Sequence, residues 1–178
     1  VGRQVDITKP LLLVAAFSAL VRSGEPGTER MRLALVGDGP LGQDIRERLQ
    51  AAGLLDRAWL PGVRGDVAHI LRALDCFVLP SRSEATSCTL QEAMATGLPI
   101  VTTDVGGNAA LLDHGRCGAL VPTDDATALA AQILQQQRQG PDHPQAAAAL
   151  TKAGQHYGLD TVIQRYRALF LGHADHHD

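Results

Sequence analysis

The sequence predicts an α/β chain built on a doubly wound parallel sheet, with C-terminal helices. Three observations carry that expectation. Short apolar runs recur along the first two-thirds of the chain, and each is continuous rather than alternating. That pattern suits strands buried on both faces. Each run stops at Gly or Pro, and amphipathic stretches of helical spacing lie between the runs. The length of 178 residues, 45% of them hydrophobic, is enough for one buried core.

Val1-Gly2-Arg3 reads as the last residues of a first, truncated strand. A helix is expected from Pro10, a favoured first helical residue, to Arg22. Leu33-Ala34-Leu35-Val36 is the second strand, stopped by Gly37-Asp38-Gly39-Pro40, and a helix from Leu41 to Ala52 ends at Gly53. Ala58-Trp59-Leu60 is a short third strand ended by Pro61-Gly62, and Asp66 caps a helix from Val67 to Leu74. Cys76-Phe77-Val78-Leu79 is the fourth strand, before Pro80. The helix from Ser87 to Thr96 stops at Gly97, with Pro99 soon after. Pro99-Ile100-Val101-Thr102 is the fifth strand, leading through Gly106-Gly107 into a short helix. Beyond Pro122 the pattern is helical only, over Asp125 to Gln137, Gln145 to Ala153 and Leu159 to Leu171. The expected organisation is one α/β unit over 1–158, a C-terminal helix over 159–172 and a solvated tail over 173–178.

Composition removes several classes. Aromatic residues are 3% of the chain and the net charge is −3, so base-stacking platforms and a basic field are both lacking, and nucleic acid is not an expected partner. No apolar run approaches the roughly 20 residues of a membrane span. Cys76, Cys88 and Cys117 show no C-x-x-C spacing, which points to a reducing, cytoplasmic setting and away from a cysteine-built metal site. No signal peptide is visible, and the Val1 start suggests a longer protein.

Ligands of open parallel sheets bind outside the carboxyl ends of the strands, so the loops after each strand hold the candidates. Arg3 and Lys9 follow the first strand, and two cations near a helix start suit a phosphate or diphosphate. Of the 16 cations only Lys9 and Lys152 are Lys, so a Lys here is not the default choice. Gly37-Asp38-Gly39-Pro40-Leu41-Gly42 matches G-x-G-x-x-G. Asp56 precedes the next strand instead of ending it, so a structural tight turn and a cofactor loop stay open as readings. Arg64 can stack on a base or serve as an ordinary surface cation. Glu84 lies before the fourth strand's helix and Glu92 inside it, on either side of the free amides of Cys88, Thr89 and Leu90. Two carboxylates flanking an anion-binding helix end suit a sugar–diphosphate–nucleoside, or simply a charged helix start. Gly106-Gly107 allows close backbone approach to a ligand, or only a turn.

These residues in this order resemble the C-terminal, nucleotide-sugar-binding domain of family 4 retaining glycosyltransferases, of the two-domain GT-B fold. The resemblance runs from Val1-Gly2-Arg3 to about Tyr166 and rests on Gly2-Arg3 with Lys9, Val36 to Pro40, and Leu79-Pro80-Ser81. Glu84 and Glu92, with seven residues between them, Glu92-Ala93-Met94-Ala95, Gly97 to Val101 and Asp104 to Asn108 complete it. By resemblance, Arg3 and Lys9 hold the donor diphosphate, Glu92 the ribose, and Glu84 the donor sugar. Amides of Cys88 to Leu90 meet phosphates and sugar, and Arg64 faces the base. No metal or other cofactor is implied. The acceptor, a glycan or lipid-linked molecule, belongs to an N-terminal domain absent here, toward which the 159–172 helix packs. The pattern is closest to bacterial enzymes of exopolysaccharide or cell-surface glycan synthesis, cytoplasmic or at the inner membrane face.

Two departures stand out. Ala85-Thr86-Ser87 replaces the family's frequent Gly-Phe-Gly, and Ala109-Ala110 replaces Pro-Glu after Gly-Gly-Asn. Three other classes remain: a nucleotide-sugar epimerase of the same fold, a dinucleotide-dependent oxidoreductase using Gly37, Gly39 and Gly42, and a fragment that binds nucleotide sugar without turnover.

Overall fold

The computed structural model describes residues 1–85, 87–140 and 143–171. The expected tail, residue 172 of the expected last helix, and Thr86, Pro141 and Asp142 lie outside the described residues. Five strands form: β1 (Leu33–Val36), β2 (Ala58–Gly62), β3 (Phe77–Leu79), β4 (Ile100–Thr103) and β5 (Ala119–Val121). The helices are α1 (Pro10–Ser23), α2 (Gly42–Ala51), α3 (Val67–Arg72), α4 (Cys88–Thr96), α5 (Asn108–Leu111), α6 (Ala126–Gln139), α7 (Pro144–His156) and α8 (Leu159–Phe170). Ser87 and Asp125, read from sequence as first helical residues, are instead caps. Ser87 Oγ accepts the Leu90 N–H, and Asp125 Oδ1 accepts the Ala128 N–H. Each satisfies a donor that the first helical turn leaves free.

Every strand pairing is parallel, as expected. A single continuous sheet is not seen. β1 pairs with β2, while β3, β4 and β5 form a second piece in that order. β1 and β3 line a cavity of about 970 Å³, together with Leu13, Phe17 and Leu20 of α1. Val1-Gly2-Arg3 is not a strand. Its neighbours still make alternate-residue bonds like those of a parallel ladder, Gly2 N–H to the Val36 carbonyl and Gln4 N–H to the Asp38 carbonyl, both 2.9 Å. β5 escaped the sequence reading because three residues between Gly118 and Pro122 are too few to show a period.

Two apolar clusters form, and the first spans both sheet pieces. One gathers α1, β1 and α2 with Val101, Val121 and Leu129. The other gathers β3 and α4 with Ile100, Leu112 and Ala149. Phe77, Met94, Ile100 and Leu129 are essentially sealed from water, and each such side chain contributes about 1.5–3 kcal/mol on burial. α1 packs on α2 and α6, and α4 packs on α3 and α7, so helices cover the strands in two groups. α8 differs from the rest. It buries no residue, packs against α7, and leaves Leu159, Tyr166, Leu169 and Phe170 exposed.

Candidate functional site

The loops after β1, β3 and β5 meet the Val1–Lys9 segment at the carboxyl ends of the strands, and the loop after β4 meets the one after β3. The backbone there is fitted closely. A Cβ on Gly37, whose φ is 128°, would come within 1.9 Å of the Gly2 carbonyl oxygen, and one on Gly39 within 2.4 Å of that of Gln4. Gln4 Nε2 donates to the Gly37 carbonyl (3.0 Å), and the Leu41 N–H donates to the Gln4 carbonyl (3.2 Å). The Gly37 N–H goes to Gly62 and the Gly39 N–H to Asp38 Oδ1. The G-x-G-x-x-G loop therefore spends its glycines on the close approach of the first segment, and its amides on Gln4, Gly62 and the loop itself. Of the two readings open at the sequence level, the structural turn is the one the geometry supports.

Gly106 and Gly107 behave alike. A Cβ on Gly106 (φ 53°) would lie 1.6 Å from the Glu84 carbonyl oxygen, and one on Gly107 would lie 2.8 Å from that of Ala85. The close approach these glycines allow is to the loop that carries Glu84. Below them, Asn108 is fully buried and donates to Thr102 Oγ1 (2.9 Å) and the Thr103 carbonyl (3.1 Å). Thr102 Oγ1 in turn donates to the Leu79 carbonyl (2.9 Å), and Thr103 Oγ1 to that of Ser81. This network fixes the ends of β3 and β4 and so the height of the Glu84 loop.

Arg3, Glu84, Cys88 and Thr89 line the cavity, as do Thr8 and Ser87. The Arg3 side chain is exposed and makes no hydrogen bond or ion pair among the described residues. Glu84 is half-buried, and its Oε1 accepts the hydroxyl of the buried Ser81 at 2.7 Å. The Cys88 and Thr89 amides sit in the first turn of α4 with no intrahelical acceptor, the position where backbone N–H groups and the helix dipole favour an anion. The Leu90 amide is a correction to the expected set. It is taken by the Ser87 hydroxyl at 3.2 Å, and the Leu90 side chain is wholly buried.

Lys9, Arg64 and Glu92 do not line that cavity. Lys9 adopts a left-handed backbone (φ 50°) as the residue before α1, and its Nζ contacts Asp6 (3.4 Å) and Asp124 (3.2 Å). Arg64 forks onto Asp66 at 2.9 and 2.8 Å. The hydrogen bond from Arg64 holds the Asp66 carboxyl below its usual range. The guanidinium edge that could reach a base edge is thus committed within its own loop, while its faces stay open for stacking. Glu92 is exposed on α4.

Among the described residues no three His, Cys, Asp or Glu side chains are grouped to hold a metal ion. No helix there is long and apolar enough to cross a membrane. The three cysteines are free; desolvation pushes the Cys76 thiol up to about 12. Sequence reasoning gave no role to Gln4, Ser81, Asp6, Arg82 or Asp124. Ser81 was legible in principle, being the hydroxyl three residues before Glu84. The partners of Lys9 come from loops too distant in sequence to signal themselves.

The family described as glycosyl transferases group 1 matches residues 1–138. The lipopolysaccharide core biosynthesis mannosyltransferase LpsB of Rhizobium meliloti is 33% identical over 136 residues, which cover 71% of this chain and 37% of that protein. The 2-deoxystreptamine N-acetyl-D-glucosaminyltransferase of Streptomyces fradiae is 35% identical over 158 residues, 85% of this chain and 37% of that protein. The crystal structure of Anabaena Alr3699/HepE in complex with UDP is similar in fold, with a TM-score of 0.85 at 23% identity, over 96% of this chain and 47% of that one. The chain thus spans less than half the length of these proteins. The family match runs from Val1 through every strand and most of α6, and on that extent the chain belongs to the glycosyl transferases group 1 family.

Proposed function

We propose that the chain is the donor-binding part of a glycosyltransferase that moves a sugar, with retention, from a nucleoside diphosphate to a glycan or lipid-linked acceptor. One observation carries this reading: Arg3, Glu84, Cys88 and Thr89 line one cavity, and the Cys88 and Thr89 amides open the first turn of α4. A diphosphate on the α4 amides has Arg3 beside it, and cations and dipoles placed where charge develops on the leaving group lower the barrier. Lys9 supplies a second cation by exchanging a carboxylate for phosphate. Glu84, held by Ser81, takes donor sugar hydroxyls, and Glu92 takes the ribose. Arg64 offers the flat face of its guanidinium to the base. No metal is needed in this scheme, since protein cations and a helix end supply the positive field.

The unit 1–158 is the nucleotide-sugar-binding part. The exposed apolar face of α8 is where the 159–172 helix packs toward an N-terminal acceptor domain. The whole enzyme works in the cytoplasm, at the inner membrane face where its acceptor is lipid-linked. The dinucleotide reading loses support because the Gly37, Gly39, Leu41 and Gly42 amides are already engaged. Calorimetric titration with UDP, GDP, ADP and NAD tests the choice. A nucleoside diphosphate is expected to bind; binding of NAD alone overturns the reading. Lys9→Ala is expected to weaken diphosphate binding and leave a bare nucleoside little changed.

A further inference from the structure

Two cations and two carboxylates form a closed ring at the carboxyl ends of the strands. Asp6 contacts Lys9 through Oδ1 (3.4 Å) and Arg82 through Oδ2 (3.3 Å). Asp124 likewise contacts Lys9 through Oδ1 (3.2 Å) and Arg82 through Oδ2 (3.7 Å). Each carboxylate therefore bridges the same two cations, one oxygen to each. The four residues come from three loops, those before α1, after β3 and after β5.

Fold stability explains this ring poorly. Exposed ion pairs contribute little, and the side chains of Asp6, Arg82 and Asp124 are more than half exposed. Two of the four residues also hold left-handed backbones, Lys9 at φ 50° and Asp124 at φ 56°, a conformation uncommon for non-glycine residues. Strain of that kind is kept where the surroundings impose it, and it collects at binding sites. The Arg82 main chain is anchored too, its N–H donating to the Ile7 carbonyl at 2.8 Å. Arg82 thus stands at a fixed place, two residues before Glu84 and across two shared carboxylates from Lys9.

We propose that Arg82 is a third phosphate-contacting cation of the donor site, and that Asp6 and Asp124 are the counter-ions which Lys9 and Arg82 exchange for the diphosphate. This rests on the reading of Lys9 as a diphosphate contact. The ring is neutral as a whole, so an anion that replaces a carboxylate keeps both cations paired. The guanidinium fork suits phosphate oxygens geometrically as well as it suits a carboxylate. The carboxylates then act as competitors. They lower affinity for the anion and so ease the departure of a nucleoside diphosphate product.

Inorganic pyrophosphate is the probe, titrated calorimetrically into the protein at low and at moderate salt. Arg82→Ala is expected to weaken binding about threefold to fivefold and to flatten its salt dependence. Asp124→Asn, whose side chain tolerates the left-handed backbone, is expected to tighten binding by a similar factor. Thermal unfolding of each variant checks that the chain still folds, and Arg82→Lys, which keeps the charge, is expected to restore part of the affinity. Loss of binding in Lys9→Ala with Arg82→Ala and Asp124→Asn both unchanged overturns the ring's role and leaves Lys9 standing. Unchanged binding in Lys9→Ala, or none in the wild type, overturns the underlying diphosphate reading instead.

Discussion

Replacing Gly106 by Ala tests whether the paired glycines exist to seat the Glu84 loop. Two costs add at this position. The left-handed φ of 53° costs an L-residue about 1–2 kcal/mol. The new Cβ would also stand 1.6 Å from the Glu84 carbonyl oxygen, a backbone atom that cannot swing aside as a side chain can. Reaching even 3.0 Å requires the Glu84 loop to retreat by about 1.4 Å. Gly53 supplies the control, with φ 68° and nothing within 4 Å of the added Cβ. Gly53→Ala should cost only the backbone term, about 1–2 kcal/mol. Gly106→Ala should cost that plus displacement of the loop, about 2–4 kcal/mol in all. Urea unfolding of both variants with unchanged slopes reads the difference directly. Sugar nucleotide affinity should fall in Gly106→Ala and hold in Gly53→Ala. Equal destabilisation by the two substitutions refutes the contact argument.

Other outcomes follow from the same geometry. Glu92→Ala is expected to weaken a sugar-free nucleoside diphosphate more than Glu84→Ala does; equal losses by calorimetry contradict the split between ribose and sugar. Ser81→Ala removes the 2.7 Å hydrogen bond that orients Glu84 and should lower sugar nucleotide affinity by about tenfold or less, as a charge-assisted bond of modest net strength implies. Phe77→Ala empties a sealed site at the start of β3 and should cost about 3–5 kcal/mol in chemical unfolding. Burial lowers the pKa of His143, whose ring nitrogens have no partner among the described residues. Its neutral form thus favours the fold above about pH 6.5, and stability should decline as pH falls below that value. His143→Phe should remove that part of the decline.

Much of the fold was legible because continuous apolar runs and capping residues act locally. β1, β3, β4 and the helices that follow them lie within a residue or two of where pattern alone puts them. β5 was not legible, since its identity as a strand comes from pairing with β4 and not from its own three residues. The glycines illustrate a different limit. Sequence shows that Gly37, Gly39, Gly106 and Gly107 permit close approach but cannot say to what. In each case the answer is another stretch of backbone, from Gly2, Gln4, Glu84 or Ala85. Glu84, Arg3, Cys88 and Thr89 line one cavity, whereas the partners of Lys9 and Arg64 depend on loop conformations that no short motif encodes.

The split between the two sheet pieces has a thermodynamic consequence. Gly2 and Gln4 tie the Arg3 segment to the loop after β1, while Glu84 and the α4 terminus belong to the piece led by β3. A ligand bridging Arg3 and the α4 terminus, as proposed, is a cross-brace between the two sheet pieces, which share one apolar cluster through Val101 and Val121. Its binding energy then adds to the stability of the junction as well as of the site, by the logarithm of its saturation. Hydrogen exchange should therefore slow at both strand clusters together on binding, so that occupancy is recorded as cooperativity across the whole chain.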